Sequence, residues 1–519
     1  DAPRREAVQA RRVGHQAVRQ SLRQNWPYHS CRHVSCAWLQ TEKEQGRRGS
    51  CIAGKSSWKG RSQQEAPRSV ARFLARFAPR GARTVRLAAT HHGTLSRGAM
   101  AGVLDAALGN AAPPDYSHVK TVLVVGAGVA GLQTARHLLS AGYEVLVLEA
   151  GSKVGGVWTQ NYVGFSLQME ADMYVFPEFP YPEHLRPKGE CPTGREVFLY
   201  TNAYADHFGL WPHIRLNCRL VQLRATETHG WVAVFNDTRK NKMYTAEADF
   251  AVVANGLYSH PHVPNYPGAD SFSGALLHAK DFTNESVTRG RHVVVVGAGK
   301  TAHDCVSTVL SAKMAASVHL LYRREHWPIP RKLCGVNIRH VLFNRFTASM
   351  LPPYYTASKT ERMAAKVMGP VKRLWWAWIE RATRKAFGMS RSEQPQGTLL
   401  ADFMTGGRIL DSAQYDVLRD HRLRKVKGEI QALTQNGIVL QDGTFVAADC
   451  VIFCTGYAKS YDFFMGDVKA RLGLQSDGLY LYRQMLCPSV PNLAFIGGEV
   501  STFNNILTHG LQALWLTAV

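Results

Sequence analysis

The residues best placed to do chemistry are three glycines at a fixed spacing. Gly126, Gly128 and Gly131 form a G-x-G-x-x-G turn inside KTVLVVGAGVAGLQTARHLLSAGYEVLVLEA, which begins at Lys120. Gly126 permits a tight turn, and Gly128 lets backbone approach a pyrophosphate. Gly131 lets the following helix pack close to the sheet, with its N-terminus facing the phosphates. Glu149 stands 18 residues beyond Gly131, where a carboxylate can accept hydrogen bonds from a ribose. The same pattern recurs in RHVVVVGAGKTAHD (291–304), with Gly297, Gly299 and Ala302 as its turn and Lys300 and Thr301 inside it. Here the acid is replaced by Arg323 and Arg324, which start 24 residues past Gly299. A carboxylate repels a 2′-phosphate, whereas guanidinium groups bind it through charge-assisted forks. The first turn therefore reads as an FAD site and the second as an NADP(H) site.

Strand and helix patterns must position these turns. Apolar β-branched runs at 122–125 and 145–148 suit strands buried on both faces, and a helical period between them ends at Ala141-Gly142. Runs at 293–296 and 318–322 repeat the arrangement, with a further buried strand expected at 248–254. Two β-patterned runs (220–223 and 231–235), a helix near 195–208 and a hairpin around Asp442-Gly443 complete the regular pattern. The aromatic, proline-rich MYVFPEFPYPEH (173–184) reads as a folded loop over a cavity. The expected architecture is α/β, with two Rossmann-like dinucleotide-binding domains and the NADPH domain inserted in the FAD domain. The expected boundaries are a basic extension at 1–112, FAD domain at 113–284, NADPH domain with a helical insertion at 285–455, and FAD domain again at 456–519.

The chain has 519 residues and a net charge of +23. Residues 1–100 hold 20 Lys and Arg against 5 Asp and Glu, so most of the excess lies outside the expected domains and does not mark a nucleic-acid binder. That segment reads as a disordered extension, an upstream artefact or an organelle-targeting peptide. The ten cysteines include no C-x-x-C pair, which suggests free thiols and an intracellular, reducing compartment. No apolar run reaches membrane-spanning length. The basic stretch 366–384 carries Trp375, Trp376 and Trp378, and suits either a membrane-surface helix, as at the endoplasmic reticulum, or a helix packed on the NADPH domain.

Taken in order, further motifs carry a resemblance. FSGALLHAKDF (272–282) fits an F-x-G-x-x-x-H-x-x-x-F signature; GGVW (155–158), CTGY (454–457) and FIGG (495–498) accompany it. From Tyr116 to Val519 the chain resembles the flavin-containing monooxygenase family of class B flavoprotein monooxygenases. LQMEADMYVFPEF and LYRQMLCPSVPNLAFIGG look closest to its plant-type branch. The resemblance implies that NADPH reduces FAD and that oxygen adds at flavin C4a. The resulting hydroperoxyflavin would pass one oxygen atom to a soft amine or sulfur substrate, as in N,N-dimethylaniline-type monooxygenases. It further implies FAD contacts from Gly126, Gly128, Gly131, Glu149, Gly156, Trp158, Leu220 and Gln512, and NADPH contacts from Gly297, Gly299, Lys300, Thr301, Arg323 and Arg324. His278 and Phe282 would lie at the domain hinge and belong to the catalytic set with Gln168, which stands where many members have asparagine. No metal is expected. The chain ends at Val519 inside an expected helix, which reads as a truncation. Two alternatives are a Baeyer–Villiger-type monooxygenase and a non-catalytic NADPH- or redox-sensing flavoprotein. Oligomeric state is left open.

Overall fold

Residues 1–115 carry the basic extension and lie outside those described by the computed structural model, which describes 116–353, 357–391, 393–405, 408–410, 417–475, 478–499 and 504–518. The first strand, β1 (Thr121–Val125), is apolar on both faces and buried along most of its length. It runs through the glycine turn into α1 (Val129–Ala141), which ends where Gly142 adopts the left-handed conformation at φ +91°. β2 (Glu144–Leu148) returns parallel to β1. Next comes α2 (Gly194–His207), opened by a capping box between Thr193 and Glu196. The short β3 (Ile214–Arg215) then pairs with β2. β4 (Cys218–Ala225), β5 (Trp231–Asp237) and β6 (Lys242–Ala248) form a separate antiparallel sheet. The strand expected over 248–254 is present but shorter at both ends. Ala248 ends β6, and β7 (Phe250–Val253) joins β1. Asp249 sits between them and accepts hydrogen bonds from the Lys120 and Thr121 amides at 2.8 and 2.9 Å.

The chain then leaves for a second parallel sheet. Its first strand is β8 (Ala275–His278), so the signature segment before residue 284 contributes to this sheet rather than to the first. β9 (His292–Val296), α3 (Lys300–Ala312) and β10 (Ser317–Tyr322) repeat the strand–turn–helix–strand unit. Two amphipathic helices follow, α4 (Lys359–Val367) and α5 (Gly369–Ala386). β11 (Leu423–Lys427) adds to the sheet, and β12 (Ile430–Thr434), β13 (Gly437–Leu440) and β14 (Phe445–Ala447) form an antiparallel hairpin layer. At the hairpin expected around Asp442-Gly443, Leu440 N–H donates to Thr444 O, and Gly443 turns the chain at φ +85°. β15 (Cys450–Phe453) completes the order β11-β10-β9-β15-β8. Val293 and Val295 enter one core, Val294 and Val296 the other, as a doubly covered sheet requires.

Only then does the chain return. β16 (Leu493–Phe495) pairs with β7, giving the first sheet the order β16-β7-β1-β2-β3, and α6 (Asn505–Ala518) packs on α1. The second sheet is thus nested between β7 and β16 of the first.

Candidate active site

The first glycine turn is tight because its neighbours leave no room for side chains. Gly126 sits at φ +105°, and a Cβ there would come within 2.5 Å of Ala254 O. A Cβ on Gly131 would lie 1.8 Å from Gly126 O, so α1 abuts its own turn. The G-G-x-W segment lies against it, with Gly155 N–H donating to Ala127 O at 2.9 Å. A Cβ on Gly156 would approach Gly128 Cα to 3.1 Å. Glu149 points back at the turn: its carboxylate accepts from Ala127 N–H at 2.8 Å and Gly151 N–H at 2.7 Å. The same residue's N–H donates to Arg215 O, and its carbonyl accepts from Cys218 N–H, so β3 and β4 clamp it. Leu220 follows in β4, half-buried beside a break in register. A bare backbone cradle at a helix N-terminus with a carboxylate beside it fits the pyrophosphate and ribose of FAD.

The wall of this site comes from distant segments. Trp158 packs on Phe165 at 5.0 Å and edge-on to Tyr174 at 5.6 Å between ring centroids. Gln168 is half-buried in the loop between, just past the Leu167 N–H bond to Pro192 O. Met173 O, at the end of that loop, accepts from the Asn504 amide at the start of α6. Gln512, two turns further along α6, accepts from Gly497 N–H at 3.2 Å. His509, one turn before Gln512, is buried against Gly497, and burial pushes its imidazole down to about 4.

The aromatic segment 173–184 is packed against α2 rather than spanning a void. Phe176, Phe179 and Tyr181 stack around Tyr200, whose hydroxyl accepts from Phe176 N–H at 3.0 Å and donates to Phe179 O.

At the second turn Gly297 adopts φ +138°, where a Cβ would meet Cys454 O at 2.7 Å. Gly299 faces open space. A small cleft beside Ala298, at the end of β10, is lined by His303, Tyr322, His326 and Lys425. Arg323 and Arg324 directly follow β10 and are exposed; Arg323 pairs with Glu429 at 3.3 Å. Lys300 turns along its own helix to Asp304, and Tyr162 OH donates to that carboxylate at 3.0 Å. Thr301 is half-buried beside them. This Tyr162–Asp304 contact joins a loop to α3 across 142 residues, and no local sequence signal announces it.

His278 and Phe282 lie at the end of β8 and in the turn after it. Phe282 is fully buried in the core beneath the second sheet, its ring packed among valines. His278 caps the turn that follows β8. Its Nδ1 accepts from Lys280 N–H at 3.1 Å, so Nε2–H donates to Gly456 O at 3.0 Å, and burial lowers its pKa. His278 thus holds β8 to the T-G-Y element, while Phe282 O accepts from Val163 N–H at 2.8 Å in the segment that leads to Gln168. Among the described residues no cluster of His, Cys, Asp and Glu could hold a metal ion. The described cysteines are free thiols.

Two nested parallel sheets, each with its own glycine turn, define a two-dinucleotide flavoprotein fold. Residues 119–519 match the family described as Flavin-binding monooxygenase-like, and the chain belongs to that family. It is 27% identical over 427 residues to dimethylaniline monooxygenase [N-oxide-forming] 4 of Rattus norvegicus, covering 77% of this chain and 69% of that one. Among solved structures, the OTEMO complex with FAD and NADP has a TM-score of 0.58 at 22% identity, over 77% of this chain and 83% of that one. S-allyl-L-cysteine S-oxygenase from Allium sativum has a TM-score of 0.50 at 18% identity, over 77% and 76% of the two chains. At those identities the likeness is one of fold.

Proposed function

We propose that this protein inserts one oxygen atom of O2 into a soft nitrogen or sulfur nucleophile. It is a flavin-dependent monooxygenase that uses FAD and NADPH. The observation that carries this reading is the contrast between its two turns, one ended by Glu149 and the other by Arg323 and Arg324. FAD supplies the oxygen chemistry when bound. The chain's residues hold and shield it: Gly126, Gly128, Gly131 and Gly156 take the pyrophosphate, and Glu149 and Leu220 the adenosine end. Trp158, Gln168 and Gln512 border the flavin end, where exclusion of water decides whether oxygen reaches substrate or is lost as peroxide. Gly297, Gly299, Lys300 and Thr301 take the NADPH pyrophosphate, with Arg323 and Arg324 on its 2′-phosphate. The FAD domain would comprise 113–284 without β8, together with 456–519. The FAD-loaded protein is expected to consume NADPH and to transfer one ¹⁸O atom from ¹⁸O2 to N,N-dimethylaniline or methyl phenyl sulfide. Transfer to a cyclic ketone alone would favour the Baeyer–Villiger reading, and no transfer with bound FAD the sensing one.

A second element of the reading concerns the membrane. No described helix is long and apolar enough to cross one. Yet α4 and α5 expose a continuous apolar stripe of Met363, Val367, Val371, Leu374 and Trp378, with Val367 and Leu374 more than 70% exposed. Exposed Lys359, Lys366, Arg373, Arg381 and Lys385 flank it. The opposite face, Trp376 and Ile379, is buried with Trp327 and Leu342, which leaves the exposed stripe available to a membrane surface. The stripe suits an anionic bilayer surface. The protein is expected to co-sediment with phosphatidylserine-containing vesicles and not with neutral ones, and Leu374→Glu to abolish this. Equal recovery with both vesicle types would discard the proposal.

A further inference from the structure

The loop bearing Gln168 is held from outside by the helical insertion. Glu170 and Asp172 lie two and four residues beyond Gln168, and both carboxylates meet Arg339 Nη1, at 2.7 and 3.0 Å. Asn337 donates to the other oxygen of Glu170, so that carboxylate is gripped on both sides. Arg339 is no loose surface arginine. Arg331 O accepts from Ile338 N–H at 2.7 Å, and Asn337 caps the short helix Ile338–Leu342, whose Ile338 and Leu342 are buried with Trp327, Trp376 and Ile379. The clamp therefore rests on a packed apolar cluster and presents a rigid donor pair to the loop. The far end of the same loop is fastened to Asn504, and Tyr174 packs on Trp158.

We propose that Arg339 is a positioning residue for oxygen transfer. Through Glu170 and Asp172 it fixes the Gln168 loop over the flavin end of the first site, and so sets substrate fit and the exclusion of water. This rests on the assignment of the first turn to FAD and of Gln168 to the flavin end. The pair is about three-quarters buried on both sides, so its geometry is held more firmly than that of an exposed ion pair. Small misplacements of groups around a reacting centre have large consequences for rate and fit.

The test uses the full-length, FAD-loaded protein with Arg339→Gln, Glu170→Gln and the double variant, and Arg339→Lys as the conservative one. The probes are N,N-dimethylaniline and methyl phenyl sulfide. Arg339→Gln is expected to raise KM for the probe by about tenfold and to divert a larger share of NADPH oxidation into hydrogen peroxide. KM for NADPH and the amount of FAD retained are expected to stay at wild-type values, because neither glycine turn touches the clamp. Arg339→Lys restores part of the loss, and the double variant is no worse than Arg339→Gln alone, since both remove one interaction. Unchanged probe KM and peroxide share would overturn the proposal. So would parallel losses in FAD content, NADPH KM and melting temperature, which mark a general structural role. A wild-type protein that binds FAD but oxygenates neither probe would instead fail the monooxygenase reading, and a peroxide leak unaltered by Arg339→Gln would then reject the clamp as well.

Discussion

At the scale of single residues, glycines of one motif face opposite demands. Gly131 has no space, and Gly299 has all the space it needs. Gly131→Ala forces α1 off its turn and is expected to cost about 3 kcal/mol or more, with loss of FAD from the purified protein. Gly299→Ala is expected to leave the melting temperature almost unchanged while raising KM for NADPH, because its Cβ would occupy the path of the pyrophosphate. Thermal melts with and without FAD, and NADPH kinetics, separate the two. Arg323 is nearly 80% exposed and its pairing with Glu429 is a solvent-screened contact, so it is readily exchanged for a 2′-phosphate. Arg323→Ala is expected to raise KM for NADPH by about tenfold and to leave KM for NADH alone. An unchanged KM ratio would remove Arg323 from that role.

Elements set where such residues can reach. The Thr193–Glu196 capping box starts α2 in a fixed register, and that register delivers Tyr200 and Tyr204 to the aromatic segment. Because the Tyr200 hydroxyl is both acceptor and donor to buried backbone, Tyr200→Phe leaves two polar groups unpaired. The expected loss is about 2 kcal/mol of stability, read as a lower denaturant midpoint, with faster proteolysis within 173–184. Equal midpoints would show the hydroxyl to be dispensable. Helix periodicity made α1, α2 and α3 legible in the sequence, whereas β6 went unseen because KMYTAEA alternates only weakly and lies mostly at the surface.

For the whole molecule, buried histidines impose a direction on pH dependence. His137 is pushed down to about 4 by burial, despite Glu178 at 3.6 Å, and His509 is lowered as far. Burial also lowers His278 and His319. An unfolded chain binds protons at these imidazoles near pH 6.5, whereas folded His137 and His509 do not until pH nears 4. Stability is therefore whole above pH 6.5 and falls between there and pH 4, by on the order of 3 kcal/mol for a fully shifted histidine. Melting curves from pH 7.5 to 4.5 are expected to show this fall, and a flat profile would contradict it. The same scale explains the nesting: β16 must return to β7, so the second sheet folds as a closed excursion from the first.

The sequence by itself determined both glycine turns, the strands and helices around them, the contrast between Glu149 and Arg323, and the family. These are local patterns, in which backbone conformation and periodicity dictate residue type over a few turns. Tertiary structure alone decided the partners. Register with β15 puts β8 in the second sheet, and Phe282, four residues past its end, packs in the core beneath. Arg339 met Glu170 across 169 residues, and Tyr162 met Asp304 across 142. Contacts of that kind depend on how whole layers stack, and no spacing along the chain encodes them.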